Sequence, residues 1–124
     1  MKKLTFHLLS NAHLDPVWFW DWREGLNEGI KTCRSMAALL EEFPFLRFSR
    51  GEAVIYRQIE RFDPELFEKI RAFHRAGRWD IVGGNLVQPD QNMPDTATQV
   101  RQFQLGQRYF RETFGTPVKT AWSA

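Results

Sequence analysis

The sequence predicts an α/β protein with a parallel sheet. Two observations lead there. Short strand-like runs alternate with longer stretches of helical periodicity, in the order strand, helix, strand, helix, strand, helix, strand, without repeats or a low-complexity linker. The residues able to carry chemistry also follow the strands, and parallel α/β sheets bind ligands at the carboxyl ends of their strands.

Each element has a local reason. Leu4 to Ser10 alternates and reads as the first strand. Leu26, Ile30, Cys33, Met36, Leu40 and Phe43 then recur at three- and four-residue steps, forming an apolar stripe on a helix that Pro44 stops. Leu46 to Ser49 reads as the second strand, and Ile55, Ile59 and Phe62 mark a short helix. Asp63-Pro64 is an N-cap with proline at the first helical position; it opens a helix that turns Leu66, Ile70 and Phe73 inward and stops near Gly77. Trp79 to Gly84 is the third strand. Val100, Phe103, Phe110 and Phe114 form a further helix closed by Gly115, with Pro117 beyond it, and Val118 to Ser123 reads as the fourth strand.

Composition narrows the function classes. Apolar residues make up 43%, charged residues 26%, and the formal net charge is +2, as in a globular protein. Arg and Lys are spread over helical faces without a long run of one sign, so neither a nucleic-acid nor a membrane partner is expected. His7, Ser10, Asn11, His13 and Asp15 interrupt any apolar core that would follow Met1-Lys2-Lys3, so no export signal is read. No apolar stretch has membrane-spanning length. Cys33 is the single cysteine and forms no internal disulfide; the expected compartment is a reducing cytoplasm.

The most informative stretch is Asn11-Ala12-His13-Leu14-Asp15-Pro16-Val17-Trp18. His13 and Asp15 stand two residues apart, so an extended backbone sends both side chains to one side, where they can share a cation. Imidazole nitrogen with carboxylate oxygen suits a divalent ion such as zinc, and Pro16 ends the strand and directs the loop that carries Trp18. A His-x-Asp triplet alone is weak evidence, since such residues often serve as turn or cap residues.

His13-Leu14-Asp15-Pro16-Val17-Trp18 resembles the N-terminal signature of the family 38 glycoside hydrolases, the retaining α-mannosidases. The resemblance continues through Phe48-Ser49-Arg50-Gly51-Glu52-Ala53, Gly83-Gly84, Gln88-Pro89-Asp90-Gln91-Asn92-Met93-Pro94, Val100-Arg101-Gln102 and Gly106-Gln107-Arg108-Tyr109-Phe110, in that family's order and spacing. It implies that His13 and Asp15 bind Zn2+, with Co2+ or Mn2+ as alternatives. It also implies that Trp18 stacks beneath the sugar and that an α-mannoside is the substrate. Glu52 and Asp90 are the further candidates for substrate contact. Trp20 and Trp22 read either as extra sugar platforms or as aromatics that plug a core.

The resemblance further implies a seven-stranded β/α barrel with helices outside. About four parallel strands of it are expected here, so residues 1–124 read as an N-terminal portion of that catalytic domain, truncated before the nucleophile. In the family an Asp-x-Phe-Gly stretch follows the fourth strand, and its aspartate attacks the sugar. Here Trp122-Ser123-Ala124 stands at that point, so the nucleophile, the general acid and the remaining metal ligands are expected beyond Ala124. By this reading the segment alone is inactive, and a homo-oligomer of the full-length protein stays open.

Simpler readings stand beside these. His7 reads as a buried histidine of the strand and His74 as helix surface. Glu52 reads equally as a carboxylate serving a helix N-terminus, and Asp90 with Asn92 as turn residues. Gly83, Gly84 and Gly106 read as sites of close packing. Where many relatives carry a tryptophan after the paired glycines, this chain has Asn85, which implies a smaller and more polar wall. The alternative functions are a non-catalytic carbohydrate-binding or structural half-domain, and another metal-dependent α/β-barrel hydrolase such as a deacetylase.

Overall fold

The computed structural model describes residues 3–122. In chain order these form β1 (Ser10–Asn11), α1 (Trp22–Glu42), β2 (Phe48–Arg50), α2 (Ala53–Phe62), α3 (Pro64–Arg75), β3 (Trp79–Ile81) and α4 (Thr96–Phe114). The strands make a parallel sheet in the order β1-β2-β3, with Ser10 opposite Phe48 and Phe48 opposite Trp79. The α/β class and the parallel sheet agree with the sequence reading.

The helices start and stop for local reasons. Asp21 caps α1 by accepting from the backbone amides of Arg23 at 2.7 Å and Glu24 at 3.3 Å. The buried stripe of α1 runs through Leu26, Cys33, Ala37 and Leu40; Ile30 and Met36 are half-buried and Phe43, beyond the helix end, is exposed. Asp63 caps α3 with a 3.1 Å bond from the Leu66 amide, Pro64 takes the first helical position, and Gly77 follows the helix at positive φ, as expected. Asp95 caps α4, which begins earlier than its apolar periodicity alone shows, and Gly115 ends it in the left-handed conformation.

The core lies between the helices and the sheet. Phe48 and Trp79 meet edge to face at 4.7 Å, and Tyr56 meets Phe110 in the same way at 5.4 Å. Leu40, Ile55, Ile59 and Ile70 are fully buried around them. Each such side chain contributes about 1.5–3 kcal/mol of apolar burial. Gly106 lets α4 approach the turn after β3, because a Cβ there would collide with the backbone of Gly84 and Asn85.

The strands are shorter than expected, and their number differs. β1 pairs only at Ser10 and Asn11, because its partner does not begin until Phe48; Leu46 is still in the turn set by Pro44, its amide bonded to the Phe43 carbonyl. Leu4 to Leu9 therefore has no ladder, and His7 is exposed, not buried as read. β3 ends at Ile81 because Gly83 and Gly84 both turn to positive φ. The expected fourth strand is not formed among the described residues. Val118–Trp122 is held beside β3 by one backbone bond, from Gly83 N–H to the Thr120 carbonyl, and by the Gln107 side chain. The sheet thus has three strands among the described residues; Ser123 and Ala124 lie outside them. His74 is half-buried and not simple helix surface: its ring contacts the Trp79 carbonyl at 3.0 Å and packs edge-on against Phe114.

Candidate functional site

The segments following β1, β2 and β3 meet at the carboxyl edge of the sheet. The first carries His13 and Asp15, whose Nε2 and Oδ1 atoms lie 3.4 Å apart with both side chains partly open to solvent. They line a cleft of about 500 Å³ together with Trp18 and the stretch Gln88, Pro89, Asp90, Gln91 and Asn92. A second, largely apolar cleft of about 440 Å³ adjoins it, sharing Asp15, Trp18, Gln88, Pro89 and Asp90 and adding Trp22, Leu26 and Val54. Trp18 is a shared wall of both.

The loop from Ala12 to Trp22 is fixed to its surroundings. Pro16 is buried against α1, where Gly25 leaves room; a Cβ at Gly25 would collide with the Pro16 carbonyl. Trp20 is half-buried and donates from Nε1 to the Asp15 carbonyl at 3.0 Å, so it closes the loop and is not an open platform. Trp22 stays half-exposed with the Arg23 guanidinium over its ring at 4.5 Å.

Glu52 leaves β2 in an unusual way. It is the one non-glycine residue with positive φ among the described residues, at 70°, a conformation costing roughly 1–3 kcal/mol that the surroundings must over-determine. Although it precedes α2, its side chain caps nothing. It is 3% exposed and turns towards Arg50, which is 1% exposed, with Oε2 3.4 Å from Nη2. Burial raises the Glu52 carboxyl above the ordinary carboxylate range; Arg50, His13 and the nearby Gln88 backbone amide oppose that rise, and Asp15 adds to it. Glu52 Oε1, Arg50 Nε and Gln88 Nε2 are buried without a hydrogen-bond partner among the described residues.

Asp90 is exposed at the rim of both clefts, and its Oδ1 accepts from the Asn92 amide at 2.9 Å, a turn-forming bond that leaves Oδ2 free of this contact. Gly83 and Gly84 adopt the conformation glycine tolerates best, and Asn85 beside them is buried, its carbonyl accepting from the Ala53 amide at 3.0 Å. Sequence reasoning takes only Asp90 from the Gln88–Asn92 stretch as a substrate-contact candidate and passes over Gln88, whose side-chain amide is buried beside both clefts; its place in the same motif as Asp90 is the signal that could have found it. Arg50 and Tyr56 are likewise missed as polar groups of the site's support.

The donor set of His13 and Asp15, one nitrogen and one oxygen at close range in an open cleft, fits a divalent cation such as zinc. Two donors would supply half of a four-ligand shell, and no group of three His, Cys, Asp or Glu side chains able to hold a metal occurs among the described residues. No helix among them is long and apolar enough to cross a membrane.

With this geometry in hand, comparisons with known proteins converge. The sequence model of the glycosyl hydrolases family 38 N-terminal domain matches residues 3–124. An alpha-mannosidase of Saccharomyces cerevisiae (strain ATCC 204508 / S288c) is 30% identical over 115 residues, which cover 92% of this chain and 11% of that protein. Alpha-mannosidase 2C1 of Homo sapiens is 29% identical over 118 residues, covering 95% of this chain and 11% of its own length. The chain thus spans about a tenth of the length of these relatives. Among solved structures, an alpha-mannosidase from Enterococcus faecalis V583 superposes with a TM-score of 0.75 at 24% identity, covering 89% of this chain and 12% of that one. A 4-alpha-glucanotransferase from Thermococcus litoralis shares the fold with a TM-score of 0.65 at 19% identity, covering 90% of this chain and 17% of its own.

Proposed function

Because the chain belongs to glycosyl hydrolase family 38, as a match to its N-terminal domain, we propose that the whole protein hydrolyses terminal α-mannosides with retention of configuration. The observation that carries this reading is the convergence of His13, Asp15 and Trp18 on one cleft at the carboxyl edge of a parallel sheet. In this proposal β1 to β3 begin a β/α barrel, and Val118–Trp122 runs beside β3 as its next member. Fold alone does not select the chemistry, since a glucanotransferase shares it.

His13 and Asp15 are the residues that would hold zinc, which when bound supplies Lewis acidity towards sugar hydroxyls. The indole of Trp18, 64% exposed, offers an apolar face to a pyranose ring. Asp90 stands at the rim with a carboxylate oxygen able to accept from a hydroxyl. Glu52 lies behind the pair, buried, with Oε1 as a further acceptor for a hydroxyl reaching that depth. Retention requires two carboxyl groups about 5–5.5 Å apart, one attacking and one donating a proton. The proposal assigns neither role to residues 1–124, in keeping with the family resemblance.

The test is proton NMR of full-length protein acting on an aryl α-mannoside. α-Mannose as the first-formed sugar supports the proposal; β-mannose, or no mannose release, overturns it.

A further inference from the structure

Where the backbone ladder of β1 stops, a side chain takes it over. Asn11 is the last paired residue of β1, and its side-chain amide donates to the Ser49 carbonyl at 2.9 Å. The next carbonyl, that of Ala12, has no strand partner and instead accepts from Arg50 Nη1 at 2.6 Å. His13 follows immediately. The far end of the Arg50 side chain thus grips the last peptide before the proposed ligand pair, and its own backbone is fixed in turn. The Tyr56 hydroxyl donates to the Arg50 carbonyl at 3.0 Å, and Trp79 Nε1 donates to the Tyr56 hydroxyl at 2.8 Å. Tyr56 and Trp79 are core residues, so a continuous series of bonds runs from the core to the peptide preceding His13.

As a device for stability this arrangement is poor. Arg50 is buried with Nε unpartnered among the described residues, and its anion, Glu52, stands at 3.4 Å on strained backbone. Apolar replacements of such buried pairs are often neutral or stabilising. The desolvation is explained if the guanidinium fork does something an apolar side chain cannot.

We propose that Arg50 is a positioning residue for the His13 and Asp15 pair, holding the Ala12 carbonyl so that the two side chains present their donors to one cation. This rests on the ligand reading of that pair. Partners bonded directly to metal ligands typically carry about 10–100-fold in affinity; Arg50 acts through the backbone one residue earlier, so an effect near the lower end is expected.

The experiment measures zinc affinity of the full-length protein by chelator competition, together with the visible absorption of its Co2+ form. Arg50→Lys keeps the charge and loses the fork; a roughly tenfold or larger weakening of zinc binding and a shifted Co2+ band are expected. Ile70→Val, a core change on α3 at a residue that lines neither cleft, should leave both readouts unchanged. Should Arg50→Lys fail to fold, Arg50→Met with Glu52→Gln removes both buried charges and is compared with Glu52→Gln alone. Deleting a cation near a metal strengthens binding by electrostatics, whereas loss of positioning weakens it, so the sign decides. Unchanged or tighter binding in the folded Arg50 variants overturns the proposal, and so does failure of both to fold, which would make Arg50 a folding residue. His13→Ala separates this from the reading beneath it. If His13→Ala keeps its metal, the ligand assignment falls; if it loses metal while the Arg50 variants keep theirs, only the positioning role falls.

Discussion

Gln107 holds Val118 in both directions: its Oε1 accepts from the Val118 amide at 3.0 Å and its Nε2 donates to the Val118 carbonyl at 2.9 Å. A side-chain amide here does what a neighbouring strand would do, satisfying donor and acceptor of one residue at once. Gln107→Leu removes both bonds at a half-buried site, at about 1 kcal/mol each. The summed loss of about 2 kcal/mol corresponds to roughly 30-fold faster local opening. Hydrogen exchange of the peptide containing residues 118–122 checks this; unchanged protection would mean the segment is held by other contacts.

His13→Ala and Asp15→Ala in the full-length protein should each lower bound zinc and activity together, because each removes a proposed ligand. Trp18→Ala should keep the metal and raise KM about tenfold through loss of apolar contact worth about 1–2 kcal/mol. Metal analysis beside steady-state kinetics distinguishes the two classes. Full zinc content in both ligand variants would remove the basis of the assignment.

Cys33 is fully buried, and burial pushes its thiol up to about 11, so the reactive thiolate is scarce at neutral pH. Iodoacetamide should leave Cys33 unmodified in the native protein and alkylate it readily in denaturant. Rapid labelling of Cys33 under native conditions, read by peptide mass, would contradict its place in the core.

Arg34 on α1 and Asp63 at the head of α3 form an ion pair at 2.7 Å. The hydrogen bond from Arg34 leads the causes that hold the Asp63 carboxyl below its ordinary 3.8, with the Leu66 amide also contributing. The folded-state value is depressed, so the unfolded chain takes up the proton first as pH falls. The stabilisation is complete above 3.8 and is lost as pH drops through the folded value. Asp63→Asn keeps a capping oxygen and removes the charge. It should destabilise modestly, by under about 1 kcal/mol at neutral pH, with the difference vanishing in acid. Denaturation curves of both forms across that range check the sign; a difference that grows in acid would reverse it.

The helices were legible because their causes are local. Leu26, Cys33 and Leu40 repeat at helical spacing, Asp63-Pro64 announces a helix start, and Gly115 a helix end. Asp21 and Asp95 carry the same capping signal but precede the apolar stripes by several residues, so periodicity alone starts both helices late. Strand limits depend on partners distant in sequence. Nothing in Leu4 to Ser10 indicates that Phe48 is where pairing begins, and nothing in Val118 to Ser123 indicates that Gln107 takes part of a strand's role. The candidate site was legible mainly through motifs that resemble a known family, since His-x-Asp alone is a weak signal; the structure brings His13, Asp15, Trp18 and Asp90 to one cleft, while Glu52 is buried near the pair and lines neither cleft. Arg50 was not readable in its supporting place, because arginine ordinarily signals surface and only the fold reveals it buried.

The bond from Trp20 Nε1 to the Asp15 carbonyl closes a six-residue turn around Pro16. Chain freedom in that turn is surrendered when the protein folds, not when a ligand arrives. Asp15 at the head of such a preorganised turn would offer its carboxylate to the proposed cation with little of that backbone left to order, so this ligand's share of the entropic penalty on uptake should be small.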